Sequence, residues 1–304
     1  MDVRTLTDRQ LVEQIEAGTA VRQGVVDEYY QRCIPVYLDF LGVHWHTGFY
    51  RDEDAGVSSR DQVRMIDYIA NSIGLNKHDR VLDVGCGIGA TLCHLSRRLS
   101  CEVIGLTPVP EQKKIAECLA SSWKATIQVD LGYAEALPYP EDSFDAVIFF
   151  ESACHFKDRQ VFFKEVCRVL KPGGRLAGED WLATDLSNES QRVKWIEPIC
   201  NAWAIPMLGD ATEYRRLMEA AKLVDITTID MQTIMPLHKG FSVTEKELDE
   251  LQQEIQQCTN PLLALTLRGM ARLGLGVNAG AFTIGHSVAR KPPAGHEKKS
   301  RSIS

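Results

Sequence analysis

Residues 80–90 read Arg80-Val-Leu-Asp-Val-Gly-Cys-Gly-Ile-Gly-Ala90, and this stretch decides the fold class. Its apolar residues predict a short buried strand, and the three alternating glycines after it predict a tight turn into a helix. The glycines are Gly85, Gly87 and Gly89. Without a Cβ at these positions, a ligand can lie directly against the backbone. Because Asp83 stands at the end of the strand, where ligands lie in open α/β sheets, the stretch predicts a site for a nucleotide-like molecule.

The composition restricts the kind of partner and the compartment. The 304 residues carry a net charge of −7, with 44% hydrophobic and 25% charged residues, which is typical of a globular protein with a sizeable core. No long block of Lys and Arg precedes the last dozen residues, so we expect no nucleic-acid partner. We also expect no transmembrane segment and no signal peptide. Nine cysteines without C-x-x-C pairs predict reduced thiols in a cytoplasmic protein.

Strands and helices alternate after residue 80, which predicts an α/β fold with a doubly wound parallel sheet. The predicted strands are 81–84, 101–106, 126–130, 145–150, 175–181, 224–231 and 280–290. The helices predicted outside this alternation are 6–20, 21–42, 58–74, 187–204, 210–222 and one or two helices in 243–273. Pro35 is expected to bend or divide the second of them.

Two interpretations of the glycine-rich turn compete at first. Gly85-x-Gly87-x-x-Ala90 fits the fingerprint of dinucleotide-binding proteins. That fingerprint requires an acidic residue about 20 positions later for a ribose hydroxyl. The second predicted strand ends Val103-Ile-Gly-Leu-Thr107 and has no carboxylate there. An oxidoreductase that uses a dinucleotide therefore remains only the fold-level alternative.

Three segments in the same order carry a more specific resemblance. The turn has the pattern V-L-D-x-G-C-G-x-G, residues 135–145 read Glu-Ala-Leu-Pro-Tyr-Pro-Glu-Asp-Ser-Phe-Asp, and residues 163–175 read Phe-Lys-Glu-Val-Cys-Arg-Val-Leu-Lys-Pro-Gly-Gly-Arg. Together they resemble the class I methyltransferases that use S-adenosyl-L-methionine (SAM). The resemblance implies an enzyme with SAM as cofactor. It also implies a Rossmann-like, mostly parallel seven-stranded sheet with N-terminal helices and helical cap insertions.

The resemblance also implies a division of the chain and a set of cofactor-binding residues. Residues 1–58 would form an N-terminal helical lid, 59–185 the SAM-binding core, 186–290 cap helices and closing strands, and 291–304 a disordered tail. Asp83 would lie near the methionine amino group of SAM. Thr107 and Gln112 resemble the G-[IL]-T-x-S-x-x-Q segment of tocopherol and cyclopropane-forming methyltransferases, in which the Gln reaches the ribose. The full predicted set is Asp83, Gly85, Cys86, Gly87, Thr107, Gln112, Tyr133, Ala134 and Phe150, with Glu135 a weaker candidate near the adenine.

The acceptor is predicted from two other segments. Residues 150–156, Phe-Glu-Ser-Ala-Cys-His-Phe, resemble the E-A-T-C-H-A segment of sterol side-chain methyltransferases, and residues 29–50 resemble the aromatic lid of the same group. The residues expected to line the acceptor pocket are Tyr30, His44, Trp45, Phe49, Tyr50, Trp181 and Trp203. His44 and His46 have no further ligand nearby in sequence, so we expect no metal site.

Glu151 and His155 are the predicted catalytic residues. Methylation of an alkene carbon leaves a carbocation, which requires aromatic faces and then a base. We therefore expect C-methylation of a small hydrophobic or prenylated molecule, of terpenoid or sterol-like structure, in secondary metabolism. The alternatives are a natural-product O- or N-methyltransferase and a non-catalytic SAM-binding protein. The N-terminal helices also offer a surface for a homo-oligomer.

Overall fold

A computed structural model describes residues 2–18, 24–53 and 58–295 of the chain. Its strands are β1 (Arg80–Val84), β2 (Glu102–Thr107), β3 (Gln128–Leu131), β4 (Phe144–Phe150), β5 (Leu170–Ala183), β6 (Val224–Asp230) and β7 (Phe282–Arg290). Its α-helices are α1 (Asp8–Glu16), α2 (Val25–Phe40), α3 (Ser59–Ser72), α4 (Ala90–Leu99), α5 (Pro110–Trp123), α6 (Arg159–Val169), α7 (Glu189–Gln191), α8 (Glu197–Cys200), α9 (Ala211–Ala220), α10 (His238–Phe241), α11 (Glu245–Gln257) and α12 (Pro261–Asn278). A π-helical turn, Arg192–Ile196, joins α7 to α8.

The seven strands form one sheet in the order β3-β2-β1-β4-β5-β7-β6. The first five strands pair in parallel, and β7 is antiparallel to both β5 and β6. The predicted doubly wound, mostly parallel seven-stranded sheet is therefore confirmed. The strand order reverses at β1, which pairs with β2 on one side and β4 on the other. Ligands bind beyond the carboxyl ends of the strands at such a reversal.

The sheet separates two apolar clusters, and β1 contributes to both because its side chains alternate in direction. Val81 packs in one cluster with residues of α3, α4 and α5, and Leu82 packs in the other with residues of α6 and α9. Helices α1, α2 and α12 extend the first cluster. This extension places the N-terminal helices and the long C-terminal helix on the same side of the sheet, above the reversal point.

Pro35 does not divide the second predicted helix, because α2 continues through it as one helix. Proline removes one backbone hydrogen bond and usually kinks or ends a helix. Buried residues flank Pro35 on both sides, among them Cys33 and Tyr37. Packing on both sides of the proline therefore outweighs the lost hydrogen bond and holds α2 as one helix.

The C-terminal part of the chain follows the prediction with shifted boundaries. The segment 243–273 forms two helices, and the side chain of Asn260 accepts hydrogen bonds from the first turn of α12. Strand β5 begins at Leu170, before its predicted start. Lys291 is hydrogen-bonded to the backbone of Gly173 and Gly174, so ordered structure continues past the predicted start of the tail. Residues 296–304 of that tail lie outside the described residues. Within the described ranges, none of the helices combines the length and apolar character that a membrane span requires.

The pair formed by Tyr214 of α9 and Asp180 of β5 gives a test of the packing between helix and sheet. The Tyr214 hydroxyl donates to Asp180 Oδ2 at 2.6 Å, and both side chains are buried. Burial raises the pKa of Asp180 to about 6. We expect Tyr214→Phe to lower the free energy of unfolding by about 1–3 kcal/mol, because a buried carboxylate loses a donor. Urea unfolding at pH 8 measures the change.

Tyr139→Phe is the matched control, since the Tyr139 hydroxyl donates to Asp130 at 3.0 Å in a less buried place. Its effect on the unfolding free energy should be smaller. Equal effects of the two substitutions would show that the buried bond to Asp180 has no special importance.

Candidate functional site

Two cavities meet at the carboxyl ends of β1, β2 and β4. The first, of about 1030 Å³, lies over the glycine-rich turn and the ends of these strands, and we call it the donor cavity. The second, of about 1810 Å³, lies between α2, residues 41–50 and helices α10 to α12, and we call it the acceptor cavity. Of the described residues, four line both cavities: Tyr30, Trp45, Glu151 and His155. These four residues mark the junction through which a group could pass from one cavity to the other.

The glycine-rich turn fits closely against the turn that follows β4. Gly85, Gly87 and Gly89 all have positive φ angles, which glycine adopts readily and other residues rarely do. A Cβ on Gly85 would lie 2.4 Å from the Cβ of Ser152, and the Ser152 hydroxyl donates to the backbone oxygen of Val84 at 2.6 Å. Ser152 therefore fills one side of the turn, and the donor cavity lies beside Gly85 and Gly87.

Asp83 is a buried carboxyl group without a cation. Its side chain is 2% exposed, and its Oδ1 has no hydrogen-bond partner. Burial raises its pKa to about 7. Asp83 borders a small recess of about 350 Å³ beside the glycine-rich turn, which Cys86 and Phe150 also line. A buried acceptor of this kind suits the ammonium group of a ligand.

Thr107 and Gln112 are bonded to each other at the edge of the donor cavity. The Thr107 hydroxyl donates to Gln112 Oε1 at 2.6 Å and accepts from the amide of Val109 at 3.2 Å. Both side chains are buried and line the cavity. Thr107 thus fixes the amide of Gln112, and the amide nitrogen carries the N–H groups that suit a ribose hydroxyl.

The far wall of the donor cavity joins the core to helix α2. The Tyr133 hydroxyl donates to Asp27 of α2 at 2.8 Å, and both residues line the cavity together with Ala134. Glu135 Oε1 accepts from the amides of Lys157 and Asp158. Glu135 therefore supports the local backbone, whereas Tyr133 ties the N-terminal helix over the cavity.

Glu151 occupies a strained position at the junction. Its φ angle is +46°, a region that residues other than glycine rarely adopt. The amide of Thr47 donates to Glu151 Oε1 at 2.7 Å, and the Thr47 hydroxyl donates to the same oxygen. Removal from bulk water raises the pKa of Glu151 to about 7. Strain of this kind at a cavity is typical of functional residues.

His155 ends the short 3₁₀ turn that follows Glu151. Its Nε2 lies 2.6 Å from the hydroxyl of Tyr30, and the two rings meet edge to face. Desolvation lowers the pKa of His155 to about 4, so the imidazole is neutral at pH 7. Glu151 and His155 border the same two cavities.

Aromatic rings surround the inner end of the acceptor cavity. The Tyr37 ring lies 5.3 Å from Trp45 and 6.2 Å from Trp203, and the rings of Trp203 and Trp181 lie 5.3 Å apart. Tyr37 is absent from the sequence prediction, although it lies seven residues after Tyr30 and so on the same side of α2. Helices α11 and α12, which supply much of the remaining wall, also carry no sequence motif.

Not every predicted pocket residue reaches the acceptor cavity. Tyr50 does, and its ring packs closely against Gly240 of α10. His44 instead borders the small recess beside the glycine-rich turn. Phe49 packs on Tyr68, with ring centroids 5.0 Å apart, and is not among the described residues that line either cavity. The alternation along this loop directs neighbouring side chains to different surroundings.

A buried carboxyl group that the sequence prediction missed lies behind the junction. Glu179 of β5 pairs in register with Phe150, is fully buried, and has no hydrogen-bond partner on either side-chain oxygen. His46 Nδ1 lies 3.8 Å from Glu179 Oε1. Burial, with the charges of Glu151 and Asp180, raises the pKa of Glu179 well above its ordinary value. No local sequence pattern marks a carboxyl group that only strand pairing brings to this place.

Known proteins share both the sequence pattern and the fold. Residues 82–178 match the family described as "Methyltransferase domain". The chain is 31% identical to tocopherol O-methyltransferase of Arabidopsis thaliana over 69% of its length, and the match spans 66% of that relative, about two thirds. The structure of a putative sarcosine dimethylglycine methyltransferase from Galdieria sulphuraria superposes with a TM-score of 0.74 at 24% identity, covering 88% of this chain and 99% of that one.

A second solved structure shares the fold. Geranyl diphosphate C-methyltransferase from Streptomyces coelicolor A3(2), in complex with Mg²⁺, geranyl diphosphate and S-adenosyl-L-homocysteine, has a TM-score of 0.67 at 18% identity. The similarity covers 88% of this chain and 96% of that one. The chain belongs to the class I SAM-dependent methyltransferases. The cofactor of this family is SAM, and the unpartnered Oδ1 of Asp83 beside the glycine-rich turn fits its amino group.

The pH dependence of SAM binding tests the role of Asp83. Its pKa of about 7 lies above the ordinary 3.8, and a ligand ammonium would favour the charged carboxylate. Binding at lower pH must therefore release a proton. We expect the dissociation constant of SAM, measured by calorimetry, to rise by up to about tenfold per pH unit below pH 7.

Asp83→Asn should weaken SAM binding and remove this pH dependence. The exposed Asp39→Asn substitution at the end of α2 is the control and should retain both the affinity and its pH dependence. An unchanged pH profile in Asp83→Asn would contradict the predicted contact.

Proposed function

We propose that this chain transfers the methyl group of SAM to an alkene carbon of a small prenyl, terpenoid or sterol-like molecule in a natural-product pathway. The observation that carries the proposal is the position of Glu151. A carboxylate of raised pKa stands where the donor and acceptor cavities meet, among aromatic rings. The cytoplasmic location and a homo-oligomer built through the N-terminal helices stay predictions.

The donor cavity and the adjoining recess would bind SAM through groups at or just beyond the ends of β1, β2 and β3. Asp83 would accept from the amino group, the amide of Gln112 would donate to the ribose, and Tyr133 with the backbone of Ala134 would border the adenine. Gly85 and Gly87 would leave the backbone open to the methionine portion. When bound, SAM supplies an activated methyl group on a positively charged sulfur.

The residues at the junction would align the acceptor for in-line displacement. The alkene would contribute the electron pair of the new C–CH₃ bond while the bond from methyl to sulfur breaks. The positive charge would then lie on the neighbouring carbon of the acceptor. The rings of Trp45, Trp181 and Trp203 line the acceptor cavity, and aromatic π faces stabilise a cation.

Glu151 would remove a proton from the carbon next to the cation, which restores a double bond. Its pKa of about 7 lets the carboxylate be a stronger base than an ordinary Glu while much of it is still ionised at neutral pH. The two donors of Thr47 hold one of its oxygens in place. His155 would position the hydroxyl of Tyr30 at the same junction.

A second candidate function is methylation of a phenol or an amine. The neutral imidazole of His155 favours it, because a neutral imidazole at the junction can accept a proton from an O–H or N–H group. The fold and the donor cavity would be the same. The position of the new methyl group in the product separates the two functions.

Product analysis with Glu151→Gln tests the proposal. Incubation with SAM labelled with ¹³C in its methyl group, and with prenyl alcohols, prenylated indoles or sterols, should give a new C–CH₃ signal in the NMR spectrum. We expect Glu151→Gln to lower kcat at least about 100-fold, as removal of a general base does, with little change in SAM affinity. Glu141→Gln, an exposed site far from the cavities, is the control.

Label found only on oxygen or nitrogen would contradict C-methylation and favour the second candidate. An unchanged kcat in Glu151→Gln would remove Glu151 from the mechanism.

A further inference from the structure

The outer rim of the acceptor cavity is acidic. Helix α11 lines the rim with Glu247, Glu250 and Glu254, which are spaced by three and four residues and so lie on one side of the helix. All three are exposed. Glu247 also caps the helix through Thr244, and Glu250 lies 3.3 Å from Lys246. Part of the acidic charge is thus offset, but the rim keeps a negative balance.

Positive charge is missing from the same wall. Among the described residues that line the acceptor cavity, none is Lys or Arg. Lys239, next to the wall residue Gly240, donates its ammonium hydrogen to the backbone oxygen of Asp52. A diphosphate group requires several cationic donors or a bound metal ion, and this wall presents carboxylates in their place.

The described side chains also offer no site for a metal ion that would bridge a diphosphate to the protein. In the described ranges of the chain, no three His, Cys, Asp or Glu side chains come together as a group that could hold a metal ion. The similar fold of geranyl diphosphate C-methyltransferase was solved with Mg²⁺ and geranyl diphosphate. The two folds share an architecture, whereas the described lining of this chain's acceptor cavity offers no Lys or Arg and no such metal-holding group.

The inner end of the cavity has the same electrostatic preference as the rim. Aromatic rings attract cations through their π faces, and Tyr37, Trp45, Trp181 and Trp203 cluster there. Glu151 adds a carboxylate at the junction. Aromatic walls with carboxylates at both ends favour a hydrophobic molecule that carries positive charge.

We propose that the acceptor of this protein is a hydrophobic molecule that bears a protonated amine and no diphosphate. This inference rests on the proposed function for the methyl transfer itself, but it concerns binding and can be tested without turnover. The amine would be attracted by the rim, and the apolar part of the acceptor would lie between the aromatic rings.

Three probes with the same carbon chain and different charge provide the test. We would measure binding of geranylamine, geraniol and geranyl diphosphate by calorimetry to the full chain saturated with S-adenosyl-L-homocysteine. We expect geranylamine to bind most tightly and geranyl diphosphate at least about tenfold more weakly. Raising the salt concentration should reduce the difference, because exposed charges are screened.

Glu254→Lys reverses one charge at the rim. It should reduce the ratio of the dissociation constants of geranyl diphosphate and geranylamine by about threefold or more. Asp249→Lys is the matched control: Asp249 is exposed on the same helix, but it is not among the described residues that line the cavity. It should leave the order and the ratio of affinities unchanged.

Tighter or equal binding of geranyl diphosphate would overturn the inference, and so would an absence of binding by all three probes. If Glu254→Lys and Asp249→Lys changed the ratio of affinities equally, the acidic residues of α11 that line the cavity would not explain the preference. If the order of affinities holds but product analysis shows no new C–CH₃ bond, the proposed function fails while the inference about charge stands.

Discussion

The close contact between the turn after β1 and the turn after β4 is the constraint on which the site depends. A side chain at Gly85 would collide with Ser152, whose hydroxyl holds the backbone oxygen of Val84. This contact fixes two carboxyl groups relative to each other. Asp83 stands just before the first turn and Glu151 just before Ser152. The donor cavity lies beside the first turn, and the junction with the acceptor cavity lies at the second.

The fold could be predicted from sequence because its signals are local. The alternation of strands and helices and the glycines at positive φ follow from residues close in the chain, and so does the position of Asp83. Pro35 shows the limit, because α2 continues through it as one helix where local rules predict a bend or a division. Phe49 shows another, since its neighbours face the cavities and its own ring packs on Tyr68.

The parts of the site that sequence did not predict come from distant segments. Helix packing places Tyr37 in the wall of the acceptor cavity, and strand pairing places the buried Glu179 behind the junction. The acidic rim has the same origin, because Glu247, Glu250 and Glu254 resemble any solvated helix face until the cavity beside them is known. A motif therefore identifies the methyl donor, whereas the acceptor depends on how the caps pack.

Several carboxyl groups at or behind the site are buried, and this links function to stability. Asp83, Glu151, Asp180 and Glu179 all have pKa values raised by removal from water. An acid whose pKa is raised on folding stabilises the fold at low pH, and this contribution is lost as pH rises through the folded pKa. Near pH 7 these groups therefore destabilise the ligand-free protein, and cationic ligands would offset that cost.

The central claim is that the methyl donor and the acceptor meet at the junction lined by Tyr30, Trp45, Glu151 and His155. The crystal structure of the protein with S-adenosyl-L-homocysteine tests it most directly. The account predicts the amino group at Asp83, the ribose at Gln112 and the sulfur facing Glu151 through the junction. A nucleoside bound in the larger cavity, or a sulfur turned away from the junction, would contradict it.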